Sequence, residues 1–152
     1  MNDTEYMHLA IKEAQKAFQE GEIPIGAVLV YKDTVIATGH NQRESTHDPT
    51  AHAEIEVIRK GAQFLSQWRL TDCTLYVTIE PCPMCAGAMM NARIGKLVYG
   101  SPNPIYGAID SRFHIGENGV LNHTLEVRSG ILQEECKQLM NRFFASHRMA
   151  FV

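Results

Sequence analysis

Two short stretches constrain this chain more than anything else in it: His52-Ala53-Glu54 and Pro81-Cys82-Pro83-Met84-Cys85. Any fold the chain adopts must bring them together, because their side chains make chemical sense only as a set. One imidazole and two thiolates supply three ligands for a tetrahedral zinc ion and leave the fourth position open to water. Glu54, two residues past the histidine, can sit beside that water without being a ligand. Zinc brings a bound water to a pKa near neutrality, and a neighbouring carboxylate can then take and return its proton. Taken alone, Cys82 and Cys85 also fit a redox pair, and Cys73 or His123 could close a structural zinc site. The first alternative lacks a thioredoxin-like βαβ at the N-terminus, and the second leaves Glu54 without a use. The set therefore points to hydrolysis of an amidine-like heterocycle, with Glu54 as the catalytic proton shuttle and His52, Cys82 and Cys85 as ligands of one zinc ion.

The rest of the chain reads as a scaffold for that set. Residues 4–20 carry Met7, Ala10, Ile11, Ala14 and Phe18 at helical spacing. Strands follow at 25–31 and 35–38, and the short turn between them makes the pair antiparallel. A polar stretch, 40–50, ends in Asp48-Pro49-Thr50, where Asp48 or Thr50 is the expected N-cap of a helix holding His52 and Glu54 in its first turn. Residues 75–79 form a buried-type strand, and 84–92 a helix with Cys82 and Cys85 at its start. A short strand covers 97–99, and a Pro- and Gly-rich loop covers 101–123, with room for a short helix near Ser111. A fifth strand at 124–128 and an amphipathic helix at 132–147 complete the chain, with Arg148 favourably placed near the helix end. The order α-β-β-α-β-α-β-loop-β-α gives an α/β fold, a three-layer α/β/α sandwich around a mixed five-stranded sheet. Both zinc-binding pieces then fall at helix N-termini on the carboxyl edge of the sheet, where open α/β sheets hold their ligands.

Composition sets outer bounds. At 152 residues a single domain over 1–152 is expected. No apolar run reaches the roughly 18 residues of a membrane span. The opening Met1-Asn2-Asp3-Thr4-Glu5 lacks the basic and apolar regions of a secretory signal, so a cytoplasmic location is expected. Cys73 and Cys136 stand in apolar contexts and read as core. A formal net charge of −3 lacks the basic balance of a polyanion binder, so a nucleic acid would need a local patch.

H-x-E paired with P-C-x-x-C is the signature of the zinc nucleobase deaminases. In detail, Thr50-Ala51-His52-Ala53-Glu54-Ile55 and Leu75-Tyr76-Val77-Thr78-Ile79-Glu80-Pro81-Cys82-Pro83-Met84-Cys85-Ala86-Gly87-Ala88-Met89 closely resemble the bacterial tRNA-specific adenosine deaminases, within the zinc-dependent cytidine/deoxycytidylate deaminase superfamily. Glu22-Ile23-Pro24-Ile25-Gly26-Ala27-Val28, His40-Asn41, Trp68-Arg69-Leu70, Ala92-Arg93-Ile94, Asn122-His123 and Phe143-Phe144 extend the resemblance over nearly the whole chain. It implies a cytidine deaminase-like fold, conversion of adenosine to inosine at the wobble position of a tRNA anticodon loop, and a homodimer. It also implies that Asn41 hydrogen-bonds the substrate, Ile25 lines the base pocket and Phe144 lies near the flanking nucleotides. Asn103, in the loop after the fourth strand, is a further candidate for substrate contact.

That loop is also where the chain departs from the family pattern. Ser101-Pro102-Asn103-Pro104-Ile105-Tyr106-Gly107-Ala108-Ile109-Asp110-Ser111-Arg112-Phe113 contains no lysine, and Ile105 stands about where the family has one. The chain ends Met149-Ala150-Phe151-Val152, without the basic tail common in the family. With the acidic net charge, these departures support a second expectation, the same chemistry on a free nucleobase or nucleoside such as guanine, cytosine or another aminated heterocycle. A non-catalytic zinc scaffold is a third, and the presence of Glu54 opposes it.

Overall fold

A computed structural model describes residues 1–147; Arg148 and the terminal stretch 149–152 lie outside the described residues. The elements run α1 (Asp3–Gln19), β1 (Gly26–Tyr31), β2 (Thr34–His40), α2 (Arg43–Thr46), α3 (Ala53–Leu65), β3 (Cys73–Ile79), α4 (Pro83–Ala92), β4 (Lys96–Ser101), β5 (Glu126–Arg128) and α5 (Gln133–His147). The five strands form one sheet in the order β2-β1-β3-β4-β5. β1 is antiparallel to both β2 and β3, whereas β3, β4 and β5 run parallel. The expected mixed α/β sandwich is what the chain forms.

Strand alternation divides the core into two faces. Ala27, Leu29, Leu75, Val77, Leu97 and Tyr99 pack with Ala53, Val57, Ala86 and Met89 of α3 and α4. Val28, Val30, Tyr76 and Val98 point the other way, into Met7, Ala10 and Ile11 of α1 and Cys136, Met140 and Phe143 of α5. The first helix is fixed at its start by a capping box, in which Glu5 N–H donates to Asn2 Oδ1 and Asn2 N–H to Glu5 Oε1. It lies so close to β1 that a side chain at Gly26 would run into the Ala10 carbonyl. Cys73 and Cys136 are buried, as their contexts suggested. Among the described residues no helix is long and apolar enough to cross a membrane.

Several local expectations are corrected. Strand–helix–strand alternation predicts parallel neighbours; β3 and β4 obey it across α4, but β2 and β3 do not, because β1 lies between them and the crossover through α3 skips one position. The stretch after β2, expected to be irregular, contains the short helix α2. Its first N–H groups are taken by the buried Glu22 carboxylate, with Glu44 N–H at 3.1 Å and Ser45 N–H at 2.7 Å. Neither Asp48 nor Thr50 caps α3. Asp48 Oδ1 instead accepts from Thr50 N–H and Oγ1–H in a local turn, and the helix starts at Ala53 with His52 at the N-cap. Around Ser111 the chain forms turns rather than a helix. The last strand is shorter than expected, beginning at Glu126.

Candidate active site

His52 and Cys82 occupy equivalent places in two helices. Each is the N-cap residue in extended conformation, His52 before α3 and Cys82 before α4, with Pro83 opening the latter. Neither side chain caps its own helix, so both are free to turn towards each other across the sheet edge. Cys85, one turn into α4, is buried beneath them. His52 Nδ1 lies 3.7 Å from Cys82 Sγ and 3.4 Å from Cys85 Sγ. Zinc bonds of about 2.0 Å to nitrogen and about 2.3 Å to sulfur at a tetrahedral angle would separate such atoms by about 3.5 Å. All three donor atoms lie within 4.8 Å of one another, so the donor set fits a tetrahedral ion in both chemistry and spacing.

Glu54 reinforces that fit. It lies in the first turn of α3, is 3% exposed, and its Oε1 is buried with no hydrogen-bond partner among the described residues. An unpartnered buried carboxylate oxygen is costly, and native proteins keep such atoms where something is to be bound. Burial, with the Cys82 charge adding to it, pushes the Glu54 carboxyl up to about 7. The two thiols divide their proton unequally. A hydrogen bond from Cys85, helped by His52, outweighs burial and holds the Cys82 thiol down to about 4, while that same bond and burial push Cys85 up. His52 is raised mainly by its hydrogen bond to Cys82.

A cavity of about 520 Å³ opens above this group. His52, Glu54 and Cys82 line it together with Ile25, Asn41, Asn103 and Phe144, so seven of the eight candidate residues line one cavity; the eighth, Cys85, is buried beside His52. Asn41 also holds a helix start in place. Ala53 N–H donates to its Oδ1 at 2.9 Å, which satisfies a free donor at the start of α3 and fixes the helix that carries His52 and Glu54. Asn103 likewise orders its own loop, with Ile105 N–H and Tyr106 N–H both donating to its Oδ1. Phe144 meets Phe143 edge to face, with ring centroids 5.5 Å apart.

Glu80 is a residue at the site that sequence reasoning passed over. It stands at the end of β3, is 2% exposed, and reaches the cavity wall. N–H groups of Asn103, Ile109, Asp110 and Ser111, and the Ser111 hydroxyl, all donate to its carboxylate. Burial opposes ionisation, but the Asp110 N–H, the Ser111 hydroxyl and the other donors prevail and hold the carboxyl below its ordinary value. Gly107 lies against the carboxylate so closely that no side chain could be added there. Ala108 N–H donates to the Pro81 carbonyl at 2.9 Å, and Tyr99 O–H to Asp110 at 2.6 Å. The loop that begins at Asn103 is thereby tied to the segment that carries Cys82. The only hint in the sequence was an acidic residue directly before Pro81-Cys82, since backbone donors leave no mark on residue identity.

Comparison with known proteins agrees with this geometry. The MafB19-like deaminase family model matches residues 1–148. A tRNA-specific adenosine deaminase of Haemophilus influenzae is 49% identical over 147 residues, which cover 96% of this chain and 85% of the relative. A structure from studies of A-to-I editing by tRNA:A34 deaminases at the wobble position of transfer RNA superimposes with a TM-score of 0.87 at 43% identity, covering 90% of this chain and 99% of the other. Guanine deaminase from Bacillus subtilis gives a TM-score of 0.66 at 30% identity, over 99% and 96% of the two chains. By family match and by relatives alike, the chain belongs to the MafB19-like deaminases and, among them, to the family of tRNA-specific adenosine deaminases.

Proposed function

We propose that residues 1–152 form one hydrolase domain that converts adenosine to inosine at the wobble position of a tRNA anticodon loop, releasing ammonia. The observation that carries the hydrolytic chemistry is the unpartnered Oε1 of Glu54 beside the His52, Cys82 and Cys85 donor set. His52, Cys82 and Cys85 would hold one zinc ion, which when bound supplies a water activated near neutral pH. Glu54 would accept one proton of the attacking water at Oε1 and deliver it to a ring nitrogen of the adenine as the C6–O bond forms; it would then pass the proton of the new C6 hydroxyl to the amine, so that the C6–N bond breaks, the carbonyl forms and ammonia leaves. Asn41 hydrogen-bonds the base, Ile25 packs on it, and Asn103 and Phe144 contact the nucleoside and its neighbours. The cavity, at about 520 Å³, is within the size range of small-ligand sites.

The stronger likeness to tRNA deaminases than to guanine deaminase, 43% identity and TM-score 0.87 against 30% and 0.66, supports RNA over a free base. The test is ammonia release from an anticodon stem-loop with a wobble adenosine, beside a panel of free bases and nucleosides. Turnover of the stem-loop is expected, and turnover of a free base with none on the RNA would overturn the proposal. The family resemblance adds a cytoplasmic location and a homodimer; sedimentation at twice the chain's mass tests the dimer.

A further inference from the structure

Beside the cavity above His52 lies a second, smaller one, and Ile23, Asn41 and Arg43 line both. Arg43 therefore stands on the ridge between them. It is the only lysine or arginine lining either cavity among the described residues. Its side chain is exposed and makes no ion pair with any described carboxylate. The acids nearby are differently placed. The carboxylates of Glu22 and Glu80 are buried and occupied by backbone N–H groups, which leaves Glu44 as the exposed acid on the smaller cavity's rim.

A base that reaches Glu54 must leave its sugar and phosphates at the rim. With a net charge of −3, the protein's overall field does not attract a polyanion, so a local cation has to meet the phosphate. A guanidinium presents a planar fork of donors that matches phosphate oxygens. We propose that Arg43 is a specificity-determining residue, whose guanidinium on the ridge between the two cavities binds a phosphodiester oxygen next to the target adenosine. The proposal rests on the RNA reading of the site given above. It makes this one side chain a distinction between a nucleotide within RNA and a free base, which has no phosphate to offer.

The experiment uses the zinc-loaded full chain and measures kcat and KM on the anticodon stem-loop over a series of KCl concentrations. Arg43→Gln is expected to raise KM about tenfold, as loss of one charge-assisted hydrogen bond would, with a far smaller change in kcat. It should also flatten the dependence of log(kcat/KM) on log salt by about 0.7, the loss of one contact to single-stranded phosphate. Arg43→Lys should restore the slope but only part of the KM, because it keeps the charge and loses the fork. Lys12→Gln, on the exposed side of α1, changes net charge equally and should leave the slope alone. Wild-type turnover of the stem-loop with the same KM and slope in Arg43→Gln would overturn the role of Arg43 and leave the RNA reading standing. Absence of stem-loop turnover by the wild type would overturn the RNA reading itself. Adenosine monophosphate turned over as well as the stem-loop would assign Arg43 to a free nucleotide's phosphate and overturn the proposal as stated.

Discussion

On one side of the cavity, His52, Cys82 and Cys85 converge from the starts of two helices, and their value lies in which atoms they carry. On the other side, the loop from Asn103 to Ser111 hangs on the single carboxylate of Glu80, and its value lies in where its backbone runs. The floor can be altered at constant fold, because its donors gain most of their meaning from what they bind. The wall cannot, because removing its one anion leaves several buried donors without an acceptor. Substitutions on the floor should thus change chemistry with little effect on stability, and substitutions in the wall should do the reverse.

The strongest way to break that contrast is to remove the metal. Chelation is expected to abolish turnover while circular dichroism still reports a folded protein; undiminished turnover after confirmed zinc loss would defeat the metal assignment. Next is Glu54→Ala, which should lower kcat by about 10²–10⁴-fold, the usual contribution of a general acid–base group. Zinc content by elemental analysis should be retained. A rate near wild type would remove Glu54 from its role.

Glu80→Gln probes the wall. It keeps one acceptor oxygen but replaces the other with a donor facing donors, so about 3 kcal/mol of stability should be lost in urea unfolding. The same residue gives a pH signature. Its native carboxyl titrates below the value of the unfolded chain, so its contribution is complete above the unfolded pKa of about 4.5. That contribution fades as pH falls through the lower native value. Acid unfolding of the wild type should therefore be steeper than that of Glu80→Gln, and parallel curves would show that the carboxylate is not what holds the loop. Asn41→Ala, which removes the acceptor at the start of α3, should cost about 1 kcal/mol. The smallest effect is spectroscopic. In metal-free protein the Glu54 carboxyl should titrate at about 7, and added zinc should lower that midpoint, because a neighbouring cation favours the carboxylate. Infrared detection of the protonated carboxyl would show it.

This contrast also explains what could be read from the sequence. His52, Glu54, Cys82 and Cys85 were legible because zinc chemistry demands those residue types at those spacings. Ile25, Asn41, Asn103 and Phe144 could be named, and all reach one cavity, but the capping contact of Asn41 with Ala53 N–H depends on a loop path that spacing does not encode. The Pro- and Gly-rich stretch after β4 stayed opaque because its partner, Glu80, lies more than twenty residues earlier and grips the backbone. The position of β3 beside β1 rather than β2 was hidden for a related reason: alternating strands and helices specify a crossover but not how many strands it passes.

The pairing of the first and last helices on one face of the sheet has a consequence for biosynthesis. α1 is made long before α5, and Val28, Val30, Tyr76 and Val98 pack with both, so that face is completed only by Cys136, Met140 and Phe143 of α5. His52, Cys82 and Cys85 have all been made by residue 85, with Glu80 between the first two, whereas Met140 and Phe144, on the same cavity, follow more than fifty residues later. A nascent chain therefore holds His52, Cys82 and Cys85 well before its cavity is complete, and until α5 has been made it carries an uncovered apolar face of the kind that chaperones bind.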